Sequence, residues 1–214
     1  MASGVAASGR WDKLNGVIKQ LWASRETCEE WRLEVLASLS SRIFREYLSL
    51  KKDYESVQDP SLLAWRARNL LELSVWAMFC SKDVVNAHQF YGDRRRDVMG
   101  ILNAFIKWGK GTGADRAWLE EIEESKGKVF QSGSEHEDSV TLVRNAAAKC
   151  GLSEHFALSY KFLSKFTHPT AMCVLDRSGA DDIAVQRDVF FSQGCLHFTG
   201  AFDALEIALQ AFST

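Results

Sequence analysis

The sequence predicts an all-α chain, folded as one bundle of about seven to eight helices. Three observations carry this. Long stretches repeat apolar residues at the three- and four-residue spacing of a buried helix face. No segment sustains the polar–apolar alternation of a half-buried strand. Only two prolines, Pro60 and Pro169, interrupt 214 residues, so helices can run long. That length buries a sizeable core without staples. Hydrophobic residues at 46% and charged residues at 25% give ordinary globular composition.

The elements follow in order. Residues 1–9 are small and lack a basic stretch or long apolar run, so they read as a disordered tail rather than a signal peptide. The remaining 10–214 are read as a single helical domain. A short first helix covers about 10–23. A second, about 25–57, turns Trp31, Val35, Leu39 and Ile43 toward a core. Asp59-Pro60 starts a third: a capping carboxylate, then proline at the first helical position. It runs to about Phe79. Ser81 is placed to cap a fourth, about 82–108, ending in a glycine hinge, Gly109-Lys-Gly-Thr-Gly113. A fifth covers about 115–130, with Glu120, Glu121, Glu123 and Glu124 on a solvated face. Gln131 to Asp138 is polar loop, and Asp138 or Ser139 caps a sixth helix that stops at Gly151. Ser153 caps the seventh, which Pro169 ends near His168, because proline disfavours the α conformation in the residue before it. A loop, 175–182, leads to a last helix, 183–212.

Two helices carry polarity inside apolar surroundings. In the seventh, Tyr160, Ser164 and His168 recur every fourth residue and share one face. In the third, Glu72 is the only charge between Leu70 and Phe79. A carboxylate among such neighbours needs partners. Arg68 and Asn69, four and three residues earlier, can reach it. Two readings follow: an intrahelical Arg68–Glu72 pair near the surface, or a polar centre joining Arg68, Asn69 and Glu72 to Tyr160, Ser164 and His168. His168 can close its helix by bonding the last carbonyls. Alternatively, with Glu72 and Tyr160 at hand, it can act as an acid or base.

Other chemistry is weaker. Arg94, Arg95 and Arg96 fan over a helical turn between Asp93 and Asp97. They read as a solvated, salt-bridged face, or as a binding clamp for phosphate. The glycines at 109–113 lack the spacing and the preceding strand of a P-loop. Five widely spaced cysteines, with no Cys-x-x-Cys, suggest free thiols in a reducing cytoplasm and supply no zinc site. His136-Glu137-Asp138 are consecutive loop residues and a poor chelate for one ion. His155 and His197 read as isolated core or surface residues. Cys195 and His197 point about 200° apart on a helix, so they are no nucleophile–base pair. No cofactor or metal is implied. A net charge of −2 gives no general attraction to nucleic acid or anionic membranes, so nucleic acid or nucleotide binding would need a local patch. The apolar stretch 189–212 is broken by Gln193, His197, Asp203 and Glu206, so no membrane span is expected. Seven tryptophans and thirteen phenylalanines are mostly core. Trp11, Trp22, Trp108 and Trp118, near element ends, could form a patch for homo-oligomerisation.

Arg144-Asn-Ala-Ala-Ala-Lys-Cys-Gly151-Leu, then Tyr160-x-x-x-Ser164-x-x-x-His168-Pro169, resembles an uncharacterised, mostly prokaryotic helical family. Its earlier Arg-x-x-x-Glu helix corresponds to Arg68 and Glu72. The likeness spans positions 60–175 and implies the bundle and the candidate positions, with no activity. More distantly, the chain is similar to the HEPN superfamily of helical bundles, many of them metal-independent ribonucleases or toxin and defence components. Their signature places a histidine four to six residues beyond an arginine–polar pair. After Arg144-Asn145 those places hold Lys149, Cys150 and Gly151. After Arg68-Asn69 they hold Leu73, Ser74 and Val75, so both pairs lack the catalytic histidine. The chain is read as a soluble helical binding or regulatory module, of defence or toxin type. The alternatives are a HEPN-like ribonuclease or nucleotide-modifying enzyme using His168, and a structural homo-oligomer.

Overall fold

Among the residues described by the computed structural model (2–24, 30–56, 59–131, 142–168 and 179–211) there are eight helices and no strand. They are α1 (Ala2–Ser24), α2 (Glu30–Ser56), α3 (Pro60–Lys82), α4 (Val84–Thr112), α5 (Arg116–Gln131), α6 (Val143–Lys149), α7 (Ser153–Thr167) and α8 (Ala180–Gln210). The all-α class and the number of helices match the sequence prediction.

α3 is the axis of the bundle because it is apolar on nearly every side. It packs against α2, α4, α6, α7 and α8. Leu63, Leu70, Leu71 and Phe79 are fully buried, and α8 answers with Phe190, Phe202 and Leu205. Each such side chain contributes about 1.5–3 kcal/mol through removal from water. On α2, Val35, Leu39 and Ile43 are buried as their spacing predicts, with Trp31 half-buried. Gly194 lets α8 lie directly on α2: a Cβ there would collide with the Leu50 side chain.

The helix ends show where local signals decide. Asp59 accepts a hydrogen bond from the Ser61 backbone at 2.8 Å with Pro60 at the first helical position, as predicted. Gly151 (φ 76°) ends α6. The Leu152 amide donates to the Ala147 carbonyl at 2.8 Å and the Gly151 amide to Ala148 at 3.0 Å, the pairing of a left-handed C-terminal cap.

Other ends differ from the prediction. α1 already begins at Ala2, within the stretch 1–9 expected to be a tail; alanines at 2, 6 and 7 favour helix. α3 continues through Ser81, and Asp83, not Ser81, caps α4 by accepting from the Val85 amide at 2.9 Å. The glycine run 109–113 is no hinge. Helix persists to Thr112, Gly113 (φ 70°) turns the chain, and the Ala114 amide bonds the Gly109 carbonyl at 2.9 Å. Gly109 is buried, and a Cβ there would stand 2.6 Å from the Trp118 ring and 2.8 Å from Leu119, so only glycine fits. α5 packs mainly on α4 through that contact. Ser153 is the first residue of α7 rather than its cap; Leu152 holds the cap position without a side-chain bond. α8 starts at Ala180, with Asp182 accepting from the Gly179 amide at 3.2 Å. Asp138, Ser139, Pro169 and the histidine of 136 lie outside the described residues.

Candidate functional site

Arg68 leaves α3 between the core and solvent and reaches across to α7. Its Nε donates to Glu72 Oε1 at 3.2 Å, the i,i+4 pair foreseen from sequence. Its Nη2 donates to the Tyr160 hydroxyl at 2.5 Å, and the guanidinium carbon lies 4.5 Å from the centre of the Tyr160 ring. Its Nη1 donates to Thr167 Oγ1 at 3.4 Å and meets His168 Nε2 at 3.0 Å. One planar fork thus holds four side chains from two helices. The rigid geometry of arginine suits this where the flexible point charge of lysine would not.

The electrostatics follow from the donors. A guanidinium only donates, so in this contact His168 Nε2 is assigned as the acceptor. The expected closure of α7 by His168 bonding its own carbonyls does not occur. His168 has left the helix (φ −119°, ψ 152°), in keeping with a residue preceding proline. Thr167 Oγ1 instead meets the Ser164 carbonyl at 3.3 Å. The cluster is open to solvent on one side. The Arg68 side chain is 18% exposed and that of Glu72 34%, and His168 is exposed. Lys161 and Lys165, also exposed, share the outer face of α7 with His168 by helical spacing.

Two members of the expected centre make no hydrogen bond to Arg68. Ser164 Oγ is buried with no hydrogen-bond partner among the described residues. Asn69 faces α2, where its Nδ2 donates to Glu46 Oε1 at 3.3 Å. Glu46 is only 4% exposed and is the centre of a second polar set that sequence reading missed. Arg66 Nη1 reaches Glu46 Oε1 at 3.0 Å while its Nε reaches Asp53 at 2.8 Å, and Arg42 lies 3.8 Å from Glu46 Oε2. The signal was present: Glu46 falls on the α2 stripe of Leu39, Ile43 and Leu50, a lone acid at a core position. Thr167 was also missed, although it stands two turns beyond Tyr160 on the same face.

The arginine run is largely matched by acids. Arg94 Nη1 lies 3.3 Å from Glu34 and Arg96 Nη1 2.5 Å from Asp93. Arg94 and Arg96 thus each meet an acid, with the Arg94 side chain still 72% exposed. Of the four tryptophans proposed to form one patch, Trp11 stacks on Phe44 at 4.6 Å. Trp108 and Trp118 meet edge-on at 6.1 Å across the α4–α5 pair. Cys80, Cys150 and Cys195 are free, and burial pushes all three thiols up, away from the reactive thiolate form. Cys28 and Cys173 lie outside the described residues. Among those described, no three His, Cys, Asp or Glu side chains gather as a metal cluster, and no helix is long and apolar enough to cross a membrane.

His155 and His197, read from sequence as unrelated, face one another. Their rings lie 5.7 Å apart across the seam between α7 and α8. His197 is 4% exposed, and its Nε2 is buried with no hydrogen-bond partner among the described residues. Burial, with the neighbouring His155, pulls its pKa down to about 4, so it is neutral at physiological pH.

A family model described as a family of unknown function (DUF5677) matches residues 40–184, which include every member of the Arg68 cluster. No curated protein and no solved structure matches the chain.

Proposed function

The chain belongs to the DUF5677 family of unknown function, and from that premise we propose that it is a binding module whose recognition site is the cluster of Arg68, Glu72, Tyr160, Thr167 and His168. The observation that carries this is the convergence of one guanidinium on an exposed histidine, a phenol and a hydroxyl from a second helix. Structural ion pairs need no such assembly at an open face. The outer side of the cluster carries Lys161 and Lys165 on the face of His168, while the carboxylate of Glu72 is held by Arg68 Nε. The ligand class that fits is therefore anionic, a phosphate-bearing small molecule or nucleotide. Free thiols favour a reducing compartment such as the cytoplasm.

The test is binding of inorganic phosphate, tripolyphosphate and mononucleotides, read by calorimetry, to the wild type and to His168→Asn and Lys161→Gln. The expected result is saturable binding weakened at least tenfold by either change with the fold intact. Equal binding by all three proteins, or none, overturns the reading.

The second reading is a metal-independent ribonuclease. It draws support from the pairing of His168 Nε2 with Arg68 at 3.0 Å, which places a base beside a cation suited to a developing phosphorane. Incubation with RNA in EDTA decides it: turnover abolished in folded His168→Ala favours the enzyme, and unaltered RNA removes it. Homo-oligomerisation draws on Ile101, Phe105 and Trp108, exposed along one face of α4, and is read by sedimentation.

A further inference from the structure

We propose that His155 of α7 and His197 of α8 form a two-histidine site for a borderline divalent cation of the zinc, nickel or copper class, with solvent completing the coordination. Imidazole is the ligand type these ions share. Two imidazoles on one tetrahedral ion, each bound at about 2.0–2.1 Å, set their ring centres about 5–6 Å apart. The observed 5.7 Å separation falls in that range without movement of either helix.

A second, independent observation is the state of His197. An imidazole nitrogen that is buried and unbonded among the described residues costs free energy unless something occupies it. A metal ion does so. His155 is exposed, so an ion can enter from its side.

Helical register adds oxygen donors to the same seam. Ser159 stands one turn beyond His155, and half-buried Gln193 one turn before His197, on helices that run antiparallel past one another. Farther along the same seam Phe162 of α7 meets Phe190 of α8 at 5.6 Å. Loading would tie α8 to α7, the helix that carries Tyr160, Thr167 and His168. The proposal stands apart from the anion-binding reading and does not depend on it.

The experiment uses the full chain, stripped with EDTA and desalted, then titrated with Zn²⁺ in competition with a chromophoric chelator. One equivalent should bind, and the ring ¹⁵N signals of both histidines should shift together. His155→Ala, at an exposed position, should weaken binding at least tenfold. His136→Ala and His168→Ala should leave it unchanged, which separates this site from other histidines and from the Arg68 cluster. His197→Gln provides a second removal of the pair. Absence of stoichiometric binding, binding unaltered in His155→Ala, or a shift of one ring alone overturns the proposal.

Discussion

Acid should weaken this fold through His197 in a defined window. In the unfolded chain its ring takes a proton near the ordinary value of 6.5, whereas in the folded protein burial, and then His155, hold it down to about 4. The sign follows from linkage. Between those values the unfolded state binds more protons than the native state, so stability rises with pH. Well above pH 6.5 both states are neutral and His197 adds no pH dependence. Each tenfold difference in proton affinity is about 1.4 kcal/mol, so the loss attributable to this residue is about half developed at pH 5.5 and reaches about 3 kcal/mol near pH 4. Urea denaturation of the wild type and of His197→Leu, with EDTA present, at pH 7, 5.5 and 4 measures it. The difference between the two proteins should shift by about 3 kcal/mol in favour of the leucine variant as pH falls. An identical pH response in both, or an NMR titration of His197 near 6.5 in the folded protein, would refute the reasoning.

Three further outcomes are expected. Glu46→Gln removes the buried charge on which half-buried Arg66 and Asn69 converge and should cost about 3 kcal/mol by chemical denaturation, with Arg66→Met relieving part of that loss in the double variant. Gly109→Ala forces a methyl against Trp118 and Leu119, so hydrogen exchange should speed in α5 while α3 and α8 keep their protection. Arg68→Lys keeps the charge but loses the fork that reaches Tyr160 and His168. It should lower stability by about 1–2 kcal/mol, and a coupling between Arg68 and Tyr160 in a double-mutant cycle checks the cause.

Much of the bundle was legible because helix formation is written locally. The Asp59-Pro60 start, the Gly151 stop and the α2 stripe each depend on residues within two turns, and all three stand where the pattern put them. Local signals failed where two were close rivals. Ser81 and Asp83 are both capable caps, and the apolar face of α3 extended the helix past the first. The glycine run was misread because glycine signals freedom in a sequence, whereas Gly109 serves as space for a neighbour's tryptophan.

The sequence by itself determined the all-α class and put Arg68 within reach of Glu72, since each rests on spacing along one helix. It also placed Tyr160 and His168 on one face of α7. Only the tertiary structure decided which side chains meet between helices. It sent Asn69 to Glu46 instead of the α7 stripe, made the Arg68 guanidinium the hub in place of a direct contact between Glu72 and His168, and set His155 against His197. The physical reason is that helical periodicity fixes the face a residue occupies, while the rotation and approach of packed helices, set by shape where Gly194 meets Leu50 and Leu70, choose what that face touches.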